Sequence, residues 1–215
     1  MTYLQLVNSV LRRLRENEVE TIPETSYSVL IGDFVNDSKQ FVEDSHSWSA
    51  LRTSIEFNTT SGTSIYALTG AGQDVEVREA MNITGKGVLS ASNRSRMNKR
   101  YKLTTALSSS PTEFAFTGTD SNGDITVQVY PNPDAVYLLF FDAFVRQVNL
   151  TADADVLKVP FNPVLQMALG MALRERGETG GQSAAEQFAL ADAALSDAVA
   201  FDANKYSEDT TFMVV

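Results

Sequence analysis

Few of the residue types that most often carry chemistry are present in this chain. Among its 215 residues there is one histidine, His46, and no cysteine. Zinc sites built from Cys and His, thiol catalysis and disulfide scaffolds all need residue types that are missing or nearly so. A Ser-His-Asp hydrolase would depend on His46 alone. The sequence therefore disfavours histidine-based and thiol-based enzymes.

Two short motifs suggest chemistry on first sight but have simpler interpretations. His46 lies at the end of a predicted helix beside Trp48, where a histidine more often caps carbonyl groups or packs than catalyses. The run Gly85-Lys86-Gly87 resembles part of a phosphate-binding loop. However, Ala80 stands where that motif needs its first glycine, and Gly87 replaces the required Ser or Thr. Neither motif predicts an active site.

Carboxylates are the remaining reactive groups. Asp153 and Asp155 could contribute to a cation site, but two carboxylates fall short of the six to eight oxygens that calcium takes. Capping of a helix or turn is the favoured interpretation. Any two of the other carboxylates could form the acid pair of a glycosidase, but no distinctive loop surrounds them. The sequence thus predicts no catalytic residue, no metal site and no cofactor.

Charge is unevenly distributed along the chain. Seventeen basic against 27 acidic residues give a net charge of −10, yet residues 80–112 contain six basic residues and no acidic one. The other residues, eleven basic and 27 acidic, carry a net charge of −16. Such a bipolar chain could pair its basic segment with phosphate or with an acidic partner, whereas a uniformly acidic protein would bind nucleic acid poorly.

The basic segment, predicted as a long loop over residues 86–110, is the main candidate for partner binding. Its central cations are Arg94, Arg96, Lys99, Arg100 and Lys102. Three interpretations stand: a solvated loop, a contact with DNA phosphates, or a contact with an acidic protein. Tyr101 is its only aromatic residue, which disfavours a platform for stacking bases.

Hydrophobic periodicity predicts helices at both ends of the chain. Apolar residues at helical spacing indicate helices over residues 3–16, 22–47, 162–176 and 182–205. Thr2 and Gln5 have the spacing of a capping box at the first start. No apolar run approaches the roughly 20 residues of a membrane span, and no signal peptide is recognisable. We therefore expect no membrane partner and synthesis in a reducing cytoplasm.

The middle of the chain changes to strand-like patterning. Short runs with a period of two fill residues 52–146, and Asn122-Gly123 predicts a hairpin turn. The run from Val136 to Phe141 is apolar at both alternating positions, which predicts cover on both faces by helices or by a neighbouring chain. The fold class expected is α+β, with terminal helices forming a helical bundle around a central antiparallel β-rich region. An extended C-terminal tail follows at 207–215 and ends in Phe212, Met213, Val214 and Val215.

The order of several motifs resembles a known family. These motifs are Leu-Val-Asn-Ser-Val-Leu-Arg-Arg-Leu from Leu6, His46-Ser47-Trp48, Ser61-Gly62-Thr63-Ser64-Ile65-Tyr66-Ala67-Leu68, Pro111-Thr112-Glu113-Phe114, Val127-Gln128-Val129-Tyr130-Pro131-Asn132-Pro133-Asp134 and Leu157-Lys158-Val159-Pro160. In this order they resemble the head-to-tail adaptor, or connector, proteins of tailed double-stranded DNA bacteriophages, the group that includes tail tubular protein A. The resemblance spans most of the chain, and the strand followed by Pro-x-Pro-Asp is its most specific part.

The resemblance implies a structural virion protein rather than an enzyme. Residues 1–206 would form a single adaptor domain, with 207–215 as an arm. Copies would form a ring, commonly of twelve, that docks on the portal protein at the neck and receives the tail tube, nozzle or next neck protein. Double-stranded DNA would pass through without sequence-specific binding. We expect the basic segment to contact an acidic neighbour, the acids of the C-terminal helices to face the channel, and Phe212 to Val215 to bind the portal.

Two other functions remain open at this point. The chain could be a different neck component, such as a tail-completion or terminator protein, which would bind the tail tube and not the portal. It could also be a carboxylate-dependent cell-wall hydrolase, which would turn over peptidoglycan as an isolated protein.

Overall fold

The computed structural model describes residues 1–177 and 184–205, and these form a mixed helical and β-sheet protein. The described residues divide into two compact units. The terminal unit combines Met1–Ala50 with the described residues from Gln147 onward, and the central unit is Leu51–Arg146. The division into a single domain and an arm at 207–215 stays a prediction, and the arm lies outside the described residues.

The terminal unit is built from helices that pack through small and aliphatic side chains. Its helices are α1 (Tyr3–Arg13), α2 (Ser26–Asp44), α4 (Phe161–Glu175) and α5 (Ala184–Ala203); α3, Arg94–Lys102, belongs to the central unit. Helix α4 packs against α1, α2 and α5. Leu6 and Val10 of α1, Ile31 of α2 and Ala168 of α4 are fully buried. Each lies on the apolar stripe of its helix, so the stripes form the core of this unit.

Local hydrogen bonds set the helix bounds inside the predicted ones. The predicted capping box is confirmed, because Thr2 and Gln5 bond reciprocally. Helix α1 ends at Arg13 rather than residue 16, since Arg15 adopts a left-handed φ of 59°. Helix α2 begins at Ser26 because Thr25 is extended and caps it through the Ser28 amide. It ends at Asp44 rather than residue 47, where the Val42 carbonyl accepts the Ser45 hydroxyl and the Trp48 indole N–H.

The central unit contains two four-stranded sheets that share one core. The strands are β1 (Arg52–Asn58), β2 (Ile65–Ala67), β3 (Val75–Asn82), β4 (Gly87–Val88), β5 (Ser90–Ala91), β6 (Glu113–Thr119), β7 (Ile125–Tyr130) and β8 (Leu138–Val145). Their orders are β1-β8-β3-β4 and β2-β7-β6-β5. Pairing is antiparallel except between β5 and β6, which run parallel. Phe141 of one sheet and Phe114 of the other meet edge to face, with ring centroids 5.3 Å apart.

Strand β8 lies in the middle of its sheet and uses its two faces differently. Leu139, Phe141 and Ala143 are completely buried in the core of the central unit. On the opposite face the Asp142 carboxylate bonds the Arg52 guanidinium, and Arg78 lies over the Phe144 ring. Leu138 and Phe140 on that face are only half-buried. Cover of this second face by another chain stays a prediction.

Candidate partner-binding surface

The prediction of a long loop over residues 86–110 is wrong at its centre, because Arg94–Lys102 forms the helix α3. The Asn93 side chain caps it by accepting the Arg96 amide N–H at 2.7 Å. Met97 is fully buried, and one turn later the Tyr101 hydroxyl donates to the Val129 carbonyl at 2.6 Å. Burial raises the pKa of Tyr101 above its ordinary value. These two residues, at i and i+4, lie on the side of α3 that faces the sheet.

Two of the five arginines and lysines of α3 are held within the central unit. The Arg100 guanidinium lies 2.7 Å from the Glu113 carboxylate and 4.4 Å from the centroid of the Tyr130 ring. Arg96 is more exposed and reaches the same carboxylate at 3.4 Å. Glu113 is the first residue of β6, so these contacts fix α3 near the start of that strand.

The other three cations of α3 face solvent. Arg94, Lys99 and Lys102 are exposed and form no ion pair with any residue in the described parts of the chain. Leu103, directly after α3, is 77% exposed. At about 100° per residue, Arg96, Lys99 and Leu103 lie on one face of the helix. This face, here called the α3 surface and comprising Arg96, Lys99, Lys102 and Leu103, combines positive charge with an apolar side chain.

Helix α5 has the opposite electrostatic character. Ala184–Ala203 contains four acidic residues and no basic one. Asp202 is buried, and the Ser49 amide and hydroxyl both donate to its carboxylate at 2.8 and 2.6 Å. Burial alone would raise the pKa of Asp202, but the bonds from Ser49 and the nearby Lys205 lower it below its ordinary value. Asp192 and Asp197 are exposed and stay available to another molecule.

The one histidine contributes to this same corner of the terminal unit. His46 Nε2 lies 3.5 Å from the Asp202 carboxylate, and its ring meets Trp48 edge-on with centroids 5.1 Å apart. Ser49 bonds Asp202 directly. In a hydrolytic triad the histidine must stand between the serine and the carboxylate, so that it can accept the serine proton. Here the carboxylate stands between them, and the arrangement joins helix ends instead of activating a hydroxyl.

The two aspartates considered for a cation site cap backbone amides. Asp153 accepts the Ile22 N–H at 3.2 Å, and Asp155 accepts the N–H groups of Thr151 and Ala152 at 2.8 Å. These bonds also lower the pKa of Asp155. Lys86, in a turn between β3 and β4, has a left-handed φ of 53°. Across residues 1–177 and 184–205, no group of three or more Asp, Glu, His or Cys side chains is arranged to hold a metal.

Sequence patterns missed two elements of this surface. Asn93 three residues before Arg96 was a usable start signal for α3, and Met97 with Tyr101 marked its buried side. Glu113 as the partner of Arg100 had no local signal, since neither a helical nor a strand period relates the two residues. The predicted tail contacts Phe212, Met213, Val214 and Val215 lie outside the described residues.

Comparison with known proteins finds a family whose model matches nearly the whole chain. The profile of the SU10 adaptor protein family matches residues 1–212. This is a family of phage head-tail adaptors. No curated protein matches the chain. Among the described residues, no helix has the length and apolar content needed to cross a membrane.

Proposed function

We propose that this chain, which belongs to the SU10 adaptor protein family of phage head-tail adaptors, forms a ring at the neck of the virion and joins the portal to the tail. The match of that family over residues 1–212 carries the proposal. It also confirms the resemblance drawn from the order of the sequence motifs. Copies of the chain, commonly twelve in such rings, surround the channel through which DNA leaves the head.

The distribution of acidic residues supports a channel role. Each phosphate contact adds salt-dependent affinity, so a channel that lets DNA slide should present few cations to it. Helix α5 contains four acidic residues and no basic one, and two of the acids, Asp192 and Asp197, are exposed. We assign part of this acidic surface to the channel wall. The basic α3 surface is then directed at protein and not at DNA.

The predicted partner contacts divide into two groups on physical grounds. Arg100 is engaged by Glu113, so Arg94, Lys99 and Lys102, with the more weakly held Arg96, are the α3 residues left to bind another chain. Phe212, Met213, Val214 and Val215, outside the described residues, form the second group, which we predict to bind a portal surface. Deleting residues 210–215 should abolish portal binding while leaving thermal unfolding unchanged; retained portal binding would contradict the arm.

A structural role agrees with the local chemistry. His46 and Asp202 join helix ends, and Asp153 and Asp155 hold backbone amides. These groups stabilise the terminal unit and have no place in a reaction. We therefore propose that the chain acts by binding and not by catalysis.

Particles that lack the chain provide the test. Phage carrying a stop codon early in this gene should produce DNA-filled heads without tails. Adding the purified chain and free tails to those heads should restore infectivity. Complete tails that lack only their closing component, with heads ready for joining, would instead indicate a terminator protein. Release of soluble peptidoglycan fragments by the purified chain would indicate a hydrolase.

A further inference from the structure

Helix α5 presents a mixed stripe to solvent beside the side that packs on α4. Leu190 is 47% exposed and Phe201 is 76% exposed, and Asp197 lies between them. The spacings of seven and four residues place all three side chains on one face. The adjoining side of the helix carries buried Gln187 and Ala191, and farther around it Phe188 packs against Gly170 of α4 so closely that a Cβ there would meet its ring at 2.8 Å. The stripe Leu190, Asp197 and Phe201, here called the α5 surface, therefore lies on a helix that packs closely against α4.

The α3 surface is its chemical counterpart. Both surfaces place charged groups beside exposed apolar side chains, Leu103 on α3 and Leu190 with Phe201 on α5. Helix α3 carries five cations and no acid, whereas α5 carries four acids and no cation. An ion pair between exposed side chains is weak by itself, so burial of the apolar groups would provide affinity and the charges would select the partner.

The signs of the charges restrict how copies can associate. Two α3 surfaces repel each other, and so do two α5 surfaces, because each is of one sign. A symmetric pair that uses either surface twice is therefore disfavoured. Pairing of α3 with α5 is favoured. Such pairing is either reciprocal within a two-fold dimer or head to tail, and the head-to-tail form leaves one α3 and one α5 surface open at the ends. Repetition of such a contact closes a ring when the rotation between copies permits.

We propose that the α5 surface of one copy binds the α3 surface of the next copy, with Asp197 facing Lys99 and Lys102 and with Leu103 packed between Leu190 and Phe201. The proposal deepens the proposed function, on which its ring closure rests. Asp192 lies about 140° around the helix from Asp197. It is therefore not part of this contact and stays available for the channel wall.

The absence of cysteine from the natural sequence permits a direct crosslinking test. Chains carrying Lys99→Cys and chains carrying Asp197→Cys are purified separately, mixed and treated with a short bismaleimide. We expect a heterodimer, and a ladder of higher oligomers from chains that carry both cysteines. Matched controls place the second cysteine at exposed Asp37 or Lys158. Heterodimer yield no higher than in the controls, or product confined within single chains, would overturn the proposal.

A charge exchange tests whether the contact is electrostatic. Lys99→Glu and Asp197→Lys should each weaken self-association by about three- to tenfold in sedimentation analysis. Both changes in one chain should restore it to within about twofold. The matched controls Lys86→Glu and Asp37→Lys alter net charge equally but lie outside the contact, so they should have little effect. Additive loss in the double variant would contradict the proposed pairing.

The outcomes for this contact and for the adaptor function are separable. If the Lys99→Glu variant forms rings on the portal protein of the same phage as readily as the natural chain does, the proposed contact is wrong and the adaptor function stands. If crosslinking and charge exchange behave as expected but the natural chain does not bind the portal, the contact stands and the adaptor function is wrong.

Discussion

The buried lysine of α2 and the exposed lysines of α3 serve opposite purposes. Lys39 is 1% exposed, and its ammonium group lies 3.2 and 3.3 Å from the two Glu43 oxygens and donates to the Gln147 carbonyl at 2.6 Å. Lys99 and Lys102 are exposed and have no ion-pair partner within the described residues. A buried charge must be satisfied by its own chain, because water cannot reach it. An exposed charge stays hydrated and remains able to pair with a charge on another molecule.

The buried lysine also shows what internal charge does for this fold. Lys39 holds Gln147, and Asn36 of the same helix exchanges hydrogen bonds with the backbone of Leu150 at 2.9 and 3.0 Å. Helix α2 thereby fixes the start of the segment that leads to α4. The buried charges of the terminal unit thus stabilise the protein, whereas the exposed lysines of α3 contribute little to stability and remain for assembly.

Removal of the buried cation should give the largest effect. Lys39→Met leaves the Glu43 carboxylate buried without its cation, so we expect the free energy of unfolding to fall by about 3–5 kcal/mol. Urea denaturation measures this loss. The double variant Lys39→Met with Glu43→Leu should recover most of it, because no uncompensated charge remains. A loss below about 1 kcal/mol in the single variant would contradict the claim that the buried lysine stabilises the fold.

Replacement of Asp202 should cause a smaller loss of stability, and this loss should depend on pH. Asp202→Asn weakens the charge-assisted bonds from Ser49, and a loss of about 1.5–3 kcal/mol is expected at pH 7. The folded-state pKa of Asp202 is lowered, so its carboxylate stabilises the protein above the unfolded pKa of about 4, and this contribution disappears as pH falls through the folded value. The difference between variant and natural chain should therefore shrink in acid. A difference that is constant from pH 7 to pH 3 would contradict this assignment.

Replacement of Arg100, the half-buried arginine of α3, should cause an intermediate loss of stability. Arg100→Gln removes the Glu113 pair and the contact with the Tyr130 ring, with an expected loss of about 0.5–2 kcal/mol. The matched variant Arg94→Gln, which has no such partner in the described structure, should change thermal unfolding far less. Equal effects at both positions would show that Arg100 is not an anchor of α3.

The exposed lysine of α3 should have the smallest effect on stability. Lys99→Glu is expected to change the free energy of unfolding by no more than about 0.5 kcal/mol, because no internal contact is lost. The same variant should weaken association between copies. Chemical denaturation and sedimentation of one preparation measure the two properties together. A large loss of stability would mean that Lys99 is engaged within its own chain.

The sequence predicted the features whose determinants are local. The capping box at Thr2, the turn at Asn122-Gly123 and the apolar stripes of α1 and α4 depend on residues close together along the chain. Helix α3 was missed because charged residues outnumber its two anchors, Met97 and Tyr101, which hides the period. The burial of Lys39 was not predictable, since its partner Gln147 lies 108 residues away. The ion pairs of Arg96 and Arg100 likewise depend on Glu113, which only the folded sheet brings close to α3.

The mass of the purified chain, alone and mixed with the portal protein of the same phage, tests the central claim most directly. Native mass spectrometry or light scattering would provide it. The adaptor account predicts monomers in reversible exchange with small oligomers for the chain alone, and a closed ring of defined copy number on the portal. A chain that ignores the portal and assembles on the tail tube instead would contradict the account.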